Sequence, residues 1–211
     1  MEKNIGFIGS GNMSQAIQGG IIQAGVIQHT QVYVSDIITE NLDKVKAQFK
    51  VHVMSDNKSV AQKADVLFIA VKPHIYPFVI EEIKNDLKES CVIISIAAGL
   101  SLEYLESLFN DHTKIVRTMP NTPALVGRGM SALCPNEFVS EQDLDLVKMI
   151  FESFGEAEVI EESLFDAVTA VSGSAPAYVF MMIEAMGDAA VLAGMPRAQA
   201  YKFAAQTLLG S

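Results

Sequence analysis

Ile5-Gly6-Phe7-Ile8-Gly9-Ser10-Gly11-Asn12-Met13-Ser14 decides how the rest of the chain is read. The apolar run Ile5 to Ile8 predicts a short buried strand. Two glycines one residue apart follow it. A helical pattern then puts Met13, Ala16, Ile17, Gly20 and Ile21 on one face. Strand, glycine turn and helix together are the context in which a G-x-G pair carries meaning. Gly9 permits a tight turn, and Gly11 lets the backbone come close to a pyrophosphate. The free N–H groups at the helix start, with the helix dipole behind them, favour anionic phosphates. Ser14 stands where the fingerprint has its third glycine; it is small, so close helix–strand packing survives. A glycine pair alone also fits an ordinary βα turn, but here the strand before it and the helix after it favour dinucleotide binding.

At 211 residues the chain can bury a sizeable core in one domain or two. It is 50% hydrophobic with a formal net charge of −10, which argues against nucleic-acid and membrane-surface partners. No apolar run approaches the ~18 residues of a bilayer span, so no membrane segment is expected. The chain starts almost directly in a strand, which predicts no signal peptide. Cys91 and Cys134, far apart in sequence, read as two reduced, buried thiols of a cytoplasmic protein. Histidines 29, 52, 74 and 112 make no metal-ligand spacing, and no metal is expected. HExxH, CxxC and GxSxG are absent, so metal and serine-hydrolase chemistry have little support.

Gly25 ends the first helical pattern as a C-cap. Gln31 to Asp36 reads as strand two, with Asp36 about where the fingerprint wants an acid for the adenosine ribose. Thr39 is positioned to cap a helix carrying Leu42, Val45 and Phe49. A short strand follows over Val51 to Met54, then a weak helix from Asn57 to Lys63. Val66 to Val71 is a continuous apolar run, as in a central parallel strand, and ends at Lys72-Pro73-His74. Pro77 starts a helix over Phe78 to Leu87. Cys91 to Ile96 is a strand ending in Ala97-Ala98-Gly99, small enough for a flat ring to lie against the backbone. Ser101 caps a short helix, and the strand Ile115 to Met119 is broken by Pro120-Asn121-Thr122-Pro123. Alternating strands and helices with short connections predict a doubly wound parallel sheet. Its ligands belong at the carboxyl ends of the strands, where the unusual sequence collects.

Met130 to Cys134 and Glu158 to Ile160 read as edge strands, with a Ser140/Asp143 capping box on the helix between them. A similar box, Ser163 with Asp166, opens the next helix, and Ser172 to Pro176 breaks the chain. Ser174 to Leu209 reads as helical throughout, with one interruption at Gly194-Met195-Pro196 and only Glu184, Asp188, Arg197 and Lys202 charged. Helices apolar nearly all round need cover, which predicts a dimer interface or a continuation of the same chain. The division expected is a Rossmann domain over 1–162 and an all-helical dimerisation segment over 163–211, an α/β fold.

Ile8-Gly9-Ser10-Gly11-Asn12-Met13, Ala70-Val71-Lys72-Pro73-His74, Met119 to Pro123 and Val171-Ser172-Gly173-Ser174-Ala175-Pro176-Ala177-Tyr178 together resemble pyrroline-5-carboxylate reductase. That family makes L-proline by reducing the cyclic imine 1-pyrroline-5-carboxylate with NAD(P)H. The resemblance runs over the whole chain and implies a Rossmann domain joined to a helical domain that interlocks two subunits, with larger rings of dimers in some members. It implies that Gly9, Ser10, Gly11, Asn12 and Met13 hold the pyrophosphate, and that Ser35, Asp36 and Asn57 surround the ribose. Ala70, Val71, Lys72 and Pro73 would pass under the cofactor, with Ala97, Ala98 and Gly99 beside the nicotinamide. Met119, Pro120, Asn121, Ser172 and Ser174 would border the substrate. Family members continue into a substrate-binding loop beyond Ser211, so this chain is expected to bind cofactor and to turn over its substrate poorly.

Hydride transfer needs no side-chain nucleophile, and no obligatory acid or base stands out. Lys72 can hold the cofactor's ribose or phosphate region, or be a solvated strand-end lysine. Arg117, inside a strand, reads as structural and in need of a partner. Arg128 reads as a solvated loop arginine, His74 as a packing or capping residue, and Met181, Met182 and Met186 as core or interface filler. Asp36 would repel a 2′-phosphate and favour NADH; Ser35, Asn57 and the family resemblance favour NADPH. The cofactor is therefore NADPH or NADH, with NADPH expected. Two alternatives remain: a non-catalytic nucleotide-binding dimer, and a β-hydroxyacid-type dehydrogenase. The second wants a lysine between Ser174 and Gly194, and there is none.

Overall fold

The computed structural model describes residues 3–211. One eight-stranded sheet organises the first three quarters of the chain, in the order β3-β2-β1-β4-β5-β6-β7-β8. The strands are β1 (Ile5–Ile8), β2 (Val32–Ser35), β3 (His52–Val53), β4 (Val66–Ile69), β5 (Val92–Ser95), β6 (Lys114–Met119), β7 (Gly129–Pro135) and β8 (Gly155–Val159). The strand order reverses between β1 and β4, and there the carboxyl ends diverge into a crevice. β1, β4 and β5 are buried along their whole length, which explains their unbroken apolar sequence.

Helices cover both faces. On one lie α1 (Asn12–Gln23), α2 (Thr39–Phe49) and α6 (Glu141–Glu152); on the other α3 (Asn57–Lys63), α4 (Tyr76–Ile83) and α5 (Leu102–Leu108). Ile17, Ile21, Val45, Val147 and Phe151 close the first core over Phe7 and Phe68, whose rings stack at 4.7 Å. Val60, Ile80, Ile83 and Leu105 close the second over Leu67 and Ile93.

Several expectations need correction. The sheet is not wholly parallel, because β7 runs antiparallel to β6. β7 is interior rather than an edge, since β8 pairs beyond it in parallel. Thr39 is the first residue of α2 and no cap; Ile38 holds that position without a side-chain bond. The Asp36 carboxylate accepts the N–H of Ile38 itself at 2.8 Å, which fixes the turn before the helix. Ser163 caps nothing; a 3-10 turn over Glu162–Leu164 leads into α7 (Phe165–Val168) instead. The helix predicted over 78–87 begins earlier, at Tyr76 behind a 3-10 turn from Pro73, and ends at Ile83. Ser101 and Ser140 do cap α5 and α6, accepting the N–H groups of Tyr104 and Asp143.

The sharpest difference lies at Ser172 to Pro176. The chain does not break there, because a π-helical turn over Thr169–Gly173 carries α7 into α8 (Ala175–Leu192). A π turn widens the helix by one residue per turn, which lets it pass Pro176 without a stop. Gly194 then ends α8 and α9 (Arg197–Gly210) follows. The resulting run Glu162–Leu192 is long and apolar enough, by length and composition alone, to cross a membrane, contrary to the expectation of no such segment. Its apolar window is only 6% buried. Phe180, Met181, Leu192 and Phe203 are all exposed on α8 and α9.

Candidate functional site

A cleft of about 610 Å³ opens at the carboxyl ends of β1, β2, β4 and β5. The turn after β1 forms one wall. Gly9 has φ of 93°, and a Cβ there would lie 2.6 Å from the Ala70 carbonyl oxygen. Glycine is therefore required both by conformation and by the close passage of the segment after β4. Gly11 differs: its backbone is extended, and a Cβ would meet no atom within 4 Å. That open space faces the cleft, which Gly11 also lines.

Helix α1 starts at this turn without a side-chain cap or an acid in its first turn. Its first N–H groups thus have no intrahelical acceptor and meet the positive end of the helix dipole. Two loop donors are already used: Gly9 donates its N–H to the Ser35 carbonyl at 2.8 Å, and Ser10 donates to Asp36 Oδ2 at 2.6 Å. The backbone anion site is accordingly narrower than the sequence suggests, centred on Gly11, Asn12 and Met13. Behind it Gln18 donates to Ser14 Oγ at 3.0 Å, which ties the small residue at the fingerprint's third position into the buried face of α1.

Twelve of the fifteen predicted cofactor residues line the cleft: Gly9, Gly11, Asn12, Met13, Asp36, Asn57, Ala70, Val71, Lys72, Pro73, Ala97 and Ala98. Ser10, Ser35 and Gly99 do not. Ser10 and Ser35 are buried behind the wall, where Ser35 donates its hydroxyl to Asn57 Oδ1 at 2.8 Å. Asn57 in turn donates to Glu82 Oε2 at 2.8 Å. Sequence reasoning missed Ile37, Ile38 and Asn41, which form the lip beyond Asp36. Ile37 is 98% exposed there. Two adjacent isoleucines in a turn between a strand and a helix were the available signal. Lys72 is the one cation among the lining residues, and among the described residues no carboxylate pairs with it.

The predicted substrate residues Met119, Pro120, Asn121, Ser172 and Ser174 lie outside this cleft. The structure does bring several of them together. The Asn121 amide donates to the Ser172 carbonyl at 3.1 Å and accepts the Met130 N–H at 2.9 Å. Met119 abuts Gly173, where a Cβ would come within 3.0 Å of its terminal methyl. The Ser172 hydroxyl turns back to the Val168 carbonyl at 3.2 Å. Both polar side chains thus bond inward, because the π turn packs directly on the strand-end loop.

Arg117 has the partner its burial requires: Nη1 donates to Glu162 Oε1 at 2.6 Å, and the guanidinium covers the Phe165 ring at 4.1 Å. It belongs to the scaffold. Tyr76 is fully buried, donates to the Ile69 carbonyl at 2.5 Å and accepts from the Ser95 hydroxyl at 3.1 Å. Burial pushes its phenol well above the ordinary range, so it stays protonated and ties down the floor from Ala70 to Ile75. Burial, reinforced by the Asp65 carboxylate, pushes the Cys91 thiol up to about 12. Burial likewise raises Cys134, and both cysteines are free. Among the described residues no group of histidines, cysteines and carboxylates could hold a metal ion.

Two family models match the chain. One, described as NADP oxidoreductase coenzyme F420-dependent, covers residues 4–99; the other, pyrroline-5-carboxylate reductase dimerisation, covers residues 162–211. The pyrroline-5-carboxylate reductase of Escherichia coli is 52% identical over all of this chain and 78% of its own length. Among solved structures, the chain is similar to a pyrroline-5-carboxylate reductase from Coxiella burnetii, with a TM-score of 0.92, 36% identity and coverage of 100% and 78%. It is also similar to a Plasmodium falciparum pyrroline carboxylate reductase with NADP bound, with a TM-score of 0.91, 36% identity and coverage of 99% and 77%.

Proposed function

This chain belongs to the pyrroline-5-carboxylate reductase family, and from that premise we propose how its cleft serves the reaction. It is an oxidoreductase of proline biosynthesis that reduces 1-pyrroline-5-carboxylate to L-proline with NADPH or NADH. The observation that carries this for the chain's own residues is the Gly9–Gly11 turn. Its open Gly11 position and uncapped α1 terminus fit a pyrophosphate, so the residues present suit a dinucleotide.

When bound, the cofactor supplies a hydride to the imine carbon, and a proton completes the amine at nitrogen. The chain's part is binding and orientation. The first turn of α1 holds the phosphates, and Lys72 adds the one cation of the cleft wall. Ala97 and Ala98 give a flat wall without bulky side chains, and the Tyr76 hydroxyl fixes the floor beneath. Orientation of two reactants can lower a barrier by about 7–11 kcal/mol at best. No side-chain acid is required by this scheme.

The residue roles named above, together with a substrate position near Met119 to Asn121 and Ser172 to Ser174, are part of the proposal. So is the division into a cofactor domain over 1–162 and a helical domain over 163–211; the last strand ends at Val159, which supports that boundary. We further propose a homodimer formed through α8 and α9, with rings of dimers as a higher assembly. The exposed apolar side chains of those helices need cover, and the dimerisation family model over residues 162–211 supports cover by a second copy. Two free, buried thiols support a cytoplasmic location.

Two assays test this: reduction of pyrroline-5-carboxylate, and proline-dependent reduction of NAD(P)+ at high pH. Cofactor binding without either activity would favour a non-catalytic nucleotide-binding dimer. Oxidation of a β-hydroxy acid instead would favour the dehydrogenase alternative. That alternative lacks its lysine: α8 carries only Glu184 and Asp188 as charges.

A further inference from the structure

The end of the cleft beyond β2 is where a doubly wound sheet places the adenosine ribose, the only part in which NADPH and NADH differ. Four polar side chains gather there: Ser35, Asp36, Asn41 and Asn57. The bonds they make in the structure run to one another and to neighbouring protein groups. Asn41 donates to Asp36 Oδ2 at 3.2 Å. Ser35 donates to Asn57 Oδ1, and Asn57 donates to Glu82 Oε2. Glu82 sits on α4, outside the cleft, while Asn57 lines it. The Asn57 amide is thus held from two sides, its N–H by the Glu82 carboxylate on α4 and its carbonyl by the Ser35 hydroxyl. The lining residues include no cation at this end, Lys72 lying beyond β4.

Resting on the cofactor reading above, we infer that Glu82 is a positioning residue that sets the margin between NADPH and NADH by holding the Asn57 amide away from the ribose 2′ position. A 2′-phosphate wants donors, and Asn57 is a lining side chain able to supply one once released. A ribose hydroxyl both donates and accepts, so NADH loses nothing when Asn57 faces inward. Removing the carboxylate by Glu82→Ala frees the amide to turn and meet the phosphate. Glu82→Gln removes the charge but keeps an acceptor oxygen for Asn57, so the amide stays held. The two variants separate orientation from simple repulsion between carboxylate and phosphate.

The experiment is calorimetric titration of the 211-residue chain and its variants with NADPH and with NADH, read as the ratio of the two Kd values. Glu82→Ala is expected to move that ratio toward NADPH by about tenfold, the size of one hydrogen bond to a charged group. Glu82→Gln is expected to move it less, and Glu82→Ala combined with Asn57→Ala to cancel the gain. A ratio unchanged by Glu82→Ala in a chain that still melts cooperatively overturns the inference. So does an equal shift in the Gln variant, or a gain that survives loss of Asn57. Failure of the unmutated chain to bind either dinucleotide would overturn the cofactor reading itself, and the inference with it.

Discussion

The Asn121 amide donates to the Ser172 carbonyl at 3.1 Å, joining the loop after β6 to the π turn that begins the long helical run. The same amide accepts the Met130 N–H, so one buried side chain holds three segments. Asn121→Ala would leave a buried N–H and a carbonyl without partners. The expected loss is about 1–3 kcal/mol per unsatisfied group, measured by urea unfolding. Unfolding midpoints that coincide for variant and parent would show that this link does not stabilise the chain.

The two glycines of the first turn should respond oppositely. Gly9→Ala forces a side chain onto a φ of 93° and against the Ala70 carbonyl, so stability should fall by roughly 1–3 kcal/mol. A Cβ at Gly11 meets no protein atom within 4 Å, so in Gly11→Val the melting temperature should hold while the branched side chain occupies cofactor space. Affinity for NADH should drop at least tenfold, a change of about 1.4 kcal/mol. Unaltered affinity in a folded Gly11→Val chain would remove the pyrophosphate from this turn.

The sheet and its cleft were legible because period and punctuation coincide there. Buried strands read as apolar runs, and their ends carry glycine, proline or small residues. What could not be read is long-range. Nothing local announces that β7 turns antiparallel to β6, since a strand buried along most of its length reads as a short apolar run in either direction. Gly173 and Pro176 looked like a stop because their propensities say so; packing of Met119 on Gly173 keeps the helix running through a π turn instead. The Asp36 carboxylate was legible as an acid after β2, but not that the Ser10 N–H occupies it. Which partner a polar side chain chooses depends on neighbours distant in sequence, as with Asn57 and Glu82.

Acid should weaken the fold in part through Asp143. Partial burial raises its carboxyl, but the Lys114 ammonium at 2.7 Å and the Ser140 hydroxyl and N-cap bond outweigh that and hold it below its usual 3.8. A lowered folded pKa contributes stability that is complete above the unfolded value and disappears as pH falls through the folded one. The window is therefore below pH 3.8. Because the pair is partly solvated, the contribution is at most about 1 kcal/mol. Asp143→Asn should lower the melting temperature at neutral pH and make little difference near pH 2. An equal effect at both pH values would point to the cap geometry alone.

α8 and α9 leave large apolar side chains exposed. These helices pack on each other, with Tyr201 closing over Gly187, yet Phe180, Met181 and Phe203 remain more than half exposed. Burying exposed apolar area is worth roughly 25 cal/mol per Å², and a stable interface removes about 800 Å² from each partner. Sedimentation velocity should find the chain as a dimer or larger at micromolar concentration. Phe180 is 62% exposed within its own chain, so Phe180→Asp should leave the protomer folded while burying an unpaired carboxylate in the assembly. Such a charge costs several kcal/mol, enough to weaken association by two or more orders of magnitude. The variant should sediment as a monomer with the circular dichroism of the parent. A parent that is itself monomeric would sink the dimer, and a Phe180→Asp chain that stays dimeric would move the interface to another face of α8 and α9.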